Sequence, residues 1–272
     1  MDLATHTVYM QITITAKGKI NQLRAAPIDA SEAKARWRAF RVAEGWAPRA
    51  PLLTPPDANL KLAKDMVSYG LSLAQAQTSG VANVCPFSTA ACRAACVAKN
   101  GNGAFNCTQE ARALKVKFLL ADPDAFVSLL AAEIDIAYAK HGDALRVRLN
   151  TFSDVRWEEV APWLLAGRAH VCFYDYTKDW SRRTPANYRL TLSVSERTSD
   201  VLAVAETLRG QNVAVVFDTP KDAPLPATWH GVTVVDGDRS DNRFDDPAGV
   251  IVGLRAKGRM RRDTRGMVRR AA

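Results

Sequence analysis

Apolar and polar residues change rhythm along the chain. Val8 to Thr15 (VYMQITIT) alternates with a period of two and predicts a strand. Ser31 to Val42 repeats its apolar positions at helical spacing, with Ser31 placed to cap it. A proline-rich stretch, APRAPLLTPPDANL, then reads as a linker or an extended wrap. From Val67 onward strand-like and helix-like segments alternate. The strand candidates are MVSYGLSLA, ALRVRLN, AHVCFYDYT, YRLTLSVS, NVAVVFD, VTVVDGD and GVIVGLRAK. Helical spacing covers Cys107–Leu120, Pro123–Lys140, Val155–Ala166 and Ser199–Arg209. Asp122 is placed to cap the second of these, with Pro123 in its first turn, and Gly210 stops the last. Alternating strands and helices predict an α/β fold of parallel β/α units, a full or partial TIM-like barrel in preference to an open sheet. Residues 1–65 stand apart as an N-terminal appendage, 66–254 form the barrel-like domain, and 255–272 form a basic tail.

Buried parallel strands are usually apolar on both faces. NVAVVFD obeys this rule and two others do not. Arg146, Arg148 and Asn150 share one face of their strand; Arg189, Thr191, Ser193 and Ser195 share one face of another. A polar inner face or an edge position would each account for this. The strand ends are polar as well. Asn150 and Asp154 follow one strand, and Asp175, Tyr176 and Lys178 lie at the end of the next. Ser195 and Glu196, then Asp218, then Asp236, Asp238 and Asp241 follow the others. Ligands of parallel α/β folds bind at the carboxyl ends of strands, so these residues form the expected site. Asn150, Asp154, Asp175 and Lys178 are the candidate catalytic residues, Lys178 and Asp175 as an acid–base pair. Ser195, Glu196 and Asp218 are candidate cofactor contacts.

Four of the five cysteines fall within 23 residues: Cys85, Cys92, Cys96 and Cys107. Such crowding in a cytosolic chain indicates a metal centre more readily than disulfides. The gaps of six, three and ten residues are not the paired knuckles of a zinc finger. Thiolates select zinc, copper(I) or iron–sulfur clusters. A [4Fe–4S] cluster is the leading expectation and zinc the alternative. Three cysteines would leave one iron open, and Cys107 would close the cluster. Cys172 lies within an apolar strand and reads as a core residue. His6, His141, His170 and His230 stand apart from one another and from the cysteines, which disfavours histidine-based metal hydrolysis.

The net charge of +9 is concentrated: Arg255, Lys257, Arg259, Arg261, Arg262, Arg265, Arg269 and Arg270 face only Asp263. Such a tail suits phosphate contacts with nucleic acid, as do Arg182 and Arg183 in an internal loop. The alternative is a solvated terminus. The first twenty residues do not have the pattern of a signal peptide, and no apolar stretch reaches membrane-spanning length. The expectation is a cytoplasmic protein without membrane contact. P-loop, dinucleotide and serine-elbow motifs are missing.

The cysteine loop follows the first strand of the β/α region. That layout resembles radical S-adenosylmethionine (SAM) enzymes, and it implies SAM as a further ligand. Their usual CxxxCxxC spacing is replaced here by wider gaps, and RLNTFSD stands where they often carry a glycine-rich segment. A second resemblance rests on CPFSTAAC-RAAC, KNGNGAFN, RALKVKFLLADPDAF, RLNTFSDVRWE, FYDYTK, NYRLTLSVSE, NVAVVF, VVDGDRSDNRF and VGLRAKG. Together these strings, spanning about residues 67 to 258, are similar to a family of phage and plasmid proteins named for gene product eighty-eight. Three functions follow as expectations. The first is an iron–sulfur enzyme acting on a nucleotide or nucleic acid, for example in DNA modification. The second is a non-catalytic nucleic-acid-binding protein with a structural metal. The third is a nuclease or replication factor using strand-end aspartates with Mg²⁺.

Overall fold

The computed structural model describes residues 20–56 and 67–271. The strand expected at Val8–Thr15 lies outside the described residues. Ten strands form a mostly parallel sheet: β1 (Leu53–Thr54), β2 (Val67–Leu71), β3 (Leu145–Arg148), β4 (Cys172–Thr177), β5 (Tyr188–Ser193), β6 (Asn212–Phe217), β7 (Thr228–Trp229), β8 (Val232–Asp236), β9 (Ile251–Arg255) and β10 (Val268–Arg269). Their order is β1-β2-β3-β4-β5-β6-β9-β8-β7, with β10 paired in parallel to the end of β6. Strands β2 to β6, β9 and β8 run parallel, while β1 and β7 are antiparallel at the two ends. The path is open among the described residues: no pairing joins β7 to β1. The protein is thus a mixed α/β fold with a mostly parallel sheet, and the closed TIM-like ring is not what the strand pairing describes.

Helices α1 (Ala30–Ala43), α3 (Asn106–Ala121) and α4 (Pro123–His141) pack together, the last beside β3. The short helices are α2 (Ala90–Ala94), α5 (Trp157–Val160) and α6 (Pro162–Ala166), and α7 (Asp200–Leu208) packs beside β6. Asp122 caps α4 through the Ala125 N–H, with Pro123 in the first turn, as the sequence predicts. Helix α1 is capped two residues earlier than expected instead. Asp29, not Ser31, is its cap, accepting the Ser31 and Glu32 N–H groups. The single helix expected over Val155–Ala166 is split in two. Pro162 has no N–H to continue the ladder and starts α6 afresh.

Residues 20–56, which the sequence sets apart, share the main core. Trp37 and Phe40 of α1 meet Phe118 of α3 at ring distances of 4.8 and 5.1 Å, and Phe118 meets Phe126 at 6.0 Å. The chain that follows is anchored by polar groups. Glu133 of α4 accepts the Leu52 and Leu53 N–H groups at 2.8 to 3.0 Å, and Lys115 donates to the Leu52 carbonyl at 2.6 Å. Leu52 and Leu53 are buried.

Strand β3 alternates as expected: Leu145 and Val147 are buried among the helices, Arg146 and Arg148 face away. Both β3 and β5 are interior strands, so an edge position is not the reason for their polar faces. The loop after β8 covers that face. Arg146 lies over the Phe244 ring at 5.5 Å and pairs with Asp245 at 3.6 Å, and Arg189 donates to the Phe244 carbonyl. Arg148 lies over the Tyr176 ring at 5.1 Å.

Candidate functional site at the carboxyl ends of the strands

Parallel β2 to β5 end on one side of the sheet. The cysteine loop leaves β2 there and is tied to the end of β3 by the Asp154 N–H donating to the Val84 carbonyl at 2.7 Å. Around that tie lies a buried polar network. Asp154 accepts the Thr177 hydroxyl at 2.8 Å, the Lys178 N–H at 2.9 Å and Arg182 at 3.1 Å. Arg182 grips Glu158 with two hydrogen bonds of 2.8 and 2.7 Å and donates to the Tyr188 hydroxyl at 3.2 Å. Tyr188 in turn donates to Asp175 at 2.6 Å. The Asn150 oxygen accepts from Ser153, Val155 N–H and Trp157; its amide donates to the Val155 carbonyl and to Asp175.

This arrangement sorts the expected catalytic residues. Asn150, Asp154 and Asp175 converge, but their polar atoms are held by protein partners. Burial pushes the Asp175 carboxyl up to about 6, against the lowering effects of Arg148, Tyr188 and the Asn150 N–H. No hydrogen bond or ion pair joins Asp175 to Lys178 among the described residues; the Lys178 ammonium points to the Ser193 hydroxyl at 3.0 Å. The acid–base pair expected from their proximity in sequence is therefore not formed. Arg182, expected to hold a phosphate, has a fully buried side chain committed to Glu158 and Asp154. Arg183 beside it is exposed. Tyr188, central to the network, carries no local sequence signal of that role, whereas Glu158 stands among the polar residues that follow β3 in sequence.

The cysteines lie above this network. The Cys85 thiol accepts the Ala76 N–H at 3.3 Å and donates to the Phe152 carbonyl at 3.2 Å. Burial pushes it up to about 12, with Asp154, Cys92 and Cys96 adding to the rise. Burial also raises Cys96, Cys92 adds to it, and Lys99 and Lys178 oppose it. Cys92 thus bears on both Cys85 and Cys96. Cys107 is exposed in the first turn of α3, and Cys172 is half-buried in β4. Among the described residues no three His, Cys, Asp or Glu side chains are arranged to hold one metal ion.

Helix α2, which carries Cys92, is held on two sides. Thr89 caps it, accepting the Cys92 N–H at 3.2 Å. Glu196, at the end of β5, accepts the Thr89 hydroxyl at 2.5 Å and the Ala91 N–H at 3.0 Å. Burial opposes ionisation of Glu196, but these donors outweigh it and hold the carboxyl below its ordinary value. On the other side Met260 and Met267 pack with Ala91, Ala95 and Cys92. Gly258 (φ +55°) closes this contact: a Cβ there would stand 2.6 Å from the Asn100 side chain.

The basic segment is thus folded onto the cysteine loop. The other two expected cofactor contacts lie along it. Ser195 gives its carbonyl to Arg269 at 3.1 Å, and Asp218 accepts the Ala271 N–H at 3.0 Å. Arg255 is spent on Asp236 and Asp238, and Lys257 pairs with Asp238. Those cations neutralise two of the strand-end aspartates. Arg259, Arg261, Arg262, Arg265 and Arg270 stay exposed. Arg259, Arg262 and Arg265 line a cleft of about 220 Å³ against Ala91, Ala94 and Ala95 of the cysteine loop.

A family model described as Gene product 88 matches residues 50–271. The chain belongs to the Gene product 88 family. The match begins ahead of β1 and runs through β10, wider than the strings in the sequence suggest, so the basic segment and β1 are within the Gene product 88 region. No curated protein and no solved structure matches the chain. No helix among the described residues is long and apolar enough to cross a membrane.

Proposed function

We propose that this Gene product 88 protein is an iron–sulfur enzyme acting on nucleic acid, with its site where the cysteine loop meets the carboxyl ends of β2 to β5. One observation carries the reading: α2, bearing Cys92, is clasped between Glu196, just beyond β5, and the arginine-rimmed segment around Met260. Three cysteines of the loop and a cationic rim thus share one edge of the fold.

Cys85, Cys92 and Cys96 would be the ligands, and Cys107, exposed outside the group, would leave one iron open. Thiolate ligands suit iron–sulfur clusters. Such a cluster supplies one-electron chemistry, and an open iron admits SAM. The buried Cys85 thiol would have to lose its proton to serve as a ligand, so loading would be coupled to its deprotonation. Lys178, within electrostatic reach of Cys96 and hydrogen-bonded to Ser193, would face the substrate. Asn150, Asp154 and Arg182 would position the loop. Arg259, Arg262 and Arg265 would hold the phosphates.

Anaerobic purification tests this. The expected product is brown and holds iron and sulfide in equal amounts, lost in Cys92→Ala and kept in Cys107→Ala. A protein that takes up no iron after anaerobic reconstitution, or that holds one zinc and no sulfide, overturns the iron–sulfur centre. SAM addition to the reduced protein should perturb its paramagnetic spectrum; an unchanged spectrum removes SAM.

A further inference from the structure

The link from β4 to β5 is unusual. Parallel strands are joined by crossovers, usually containing a helix, that cover the outer face of the sheet. Here only residues 178–187 separate Thr177 from Tyr188, and they contain no helix. Helix α7 packs beside β6 and reaches β5 at Leu192 through Ala203 and Val204, so the link itself places no helix over the start of β5. The space so left is a cavity of about 680 Å³ lined by Leu190 and Leu192 of β5, Pro185 and Trp180 of the link, Asn212 of β6 and the end of α7 at Arg209. Its volume is within the roughly 300–1,000 Å³ of small-molecule sites. Tyr188 and Asn212 are the first residues of their strands, and no residue of the cysteine loop lines the cavity.

Its polar lining is cationic and incompletely used. Arg183 and Arg189 both line it, and neither is ion-paired to a carboxylate among the described residues; their bonds go to the carbonyls of Arg182 and Phe244. Asn212 is buried. Its oxygen accepts the Val250 N–H at 3.3 Å, while its amide nitrogen has no hydrogen-bond partner. Arg209 is held by Glu206, and Arg182 by the network already described. Two unpaired guanidiniums fit a dianionic phosphate, which arginine binds with paired donors. Trp180 and the apolar floor of Leu190 and Leu192 fit a flat ring.

We infer that this cavity is a second site, separate from the cysteine loop, which binds a nucleoside monophosphate with its phosphate at Arg183 and Arg189 and its base against Trp180. The inference does not depend on the metal.

Titration calorimetry of the full chain with each common nucleoside monophosphate tests it, with Trp fluorescence as a second readout. Saturable binding with quenching is expected for at least one. The matching nucleoside and inorganic phosphate should each bind at least about ten-fold more weakly. Arg183→Ala, at an exposed position, and Arg189→Ala should each weaken binding by about ten-fold or more, while Arg262→Ala and Cys92→Ala leave it unchanged. No saturable binding at millimolar concentration overturns the site. Binding insensitive to both cavity arginines but lost in Arg262→Ala places the ligand on the basic segment instead. Phosphate binding as tightly as the nucleotide overturns the role of the ring.

Discussion

The Glu196 carboxylate accepts the Thr89 hydroxyl at 2.5 Å across 107 residues of sequence, and so the end of β5 fixes the helix that carries Cys92. Removing it should loosen that helix alone. Loss of a capping acceptor costs about 1 kcal/mol. Glu196→Ala should therefore speed alkylation of Cys92 several-fold, and Glu196→Gln by less. Equal labelling rates in all three proteins would show that α2 is held by other means.

Arg182 is expected to be a stability residue. Its side chain is fully buried between Glu158 and Asp154, so truncation strands two carboxylates. Breaking a buried pair from one side costs about 3–5 kcal/mol. Denaturant unfolding of Arg182→Ala should show that loss, and Arg182→Lys most of it, because an ammonium cannot replace the forked contact with Glu158. Exposed Arg183→Ala should unfold like the unaltered protein.

Asp175 makes stability depend on pH. Burial raises its carboxyl from 3.8 to about 6, so the folded state favours the acid form. Its contribution is complete below about pH 4 and is lost as pH rises through about 6. Between those limits the unaltered protein should lose about 3 kcal/mol relative to Asp175→Asn, which does not titrate. Parallel stability curves for the two proteins across this range would mean that Asp175 keeps an ordinary carboxyl.

The exposed arginines near α2 should govern binding to polyanions. Each phosphate contact adds about 0.9 to the slope of log affinity against log salt on duplex DNA. Replacing Arg259, Arg262 and Arg265 together by alanine should lower that slope by about two to three and weaken all sequences alike. An unchanged slope would exclude this face.

The N-terminal segment should be inseparable from the rest. Trp37 is 3% exposed and packed into the aromatic core. Trp37→Ala should cost about 3–5 kcal/mol of global stability. Unfolding in two steps, with the second untouched by the substitution, would instead mark residues 20–56 as separate.

Strand β6 was legible as an unbroken apolar run, and β3 and β5 were legible by a polar–apolar alternation that breaks that rule. The reach of the fold was not. Spacing shows that α1 has an apolar face, but not that Phe118 covers it. Leu52 and Leu53 sit in a proline-rich stretch that reads as linker, since the Glu133 that captures their N–H groups is some 80 residues away. Arg182 looks like a phosphate clamp until Glu158, 24 residues earlier, is seen to fill its fork. In the basic segment the charges draw attention, yet Met260 and Met267 seat it.

Those two methionines also set a timetable. The cysteines leave the ribosome well before Met260 and Met267 do. At about 5–20 residues per second, the delay is on the order of ten seconds. Throughout that interval the flank of α2 beside Cys92 is bare. The thiol is then open to oxidants from that side, and packing of Met260 and Met267 covers the flank.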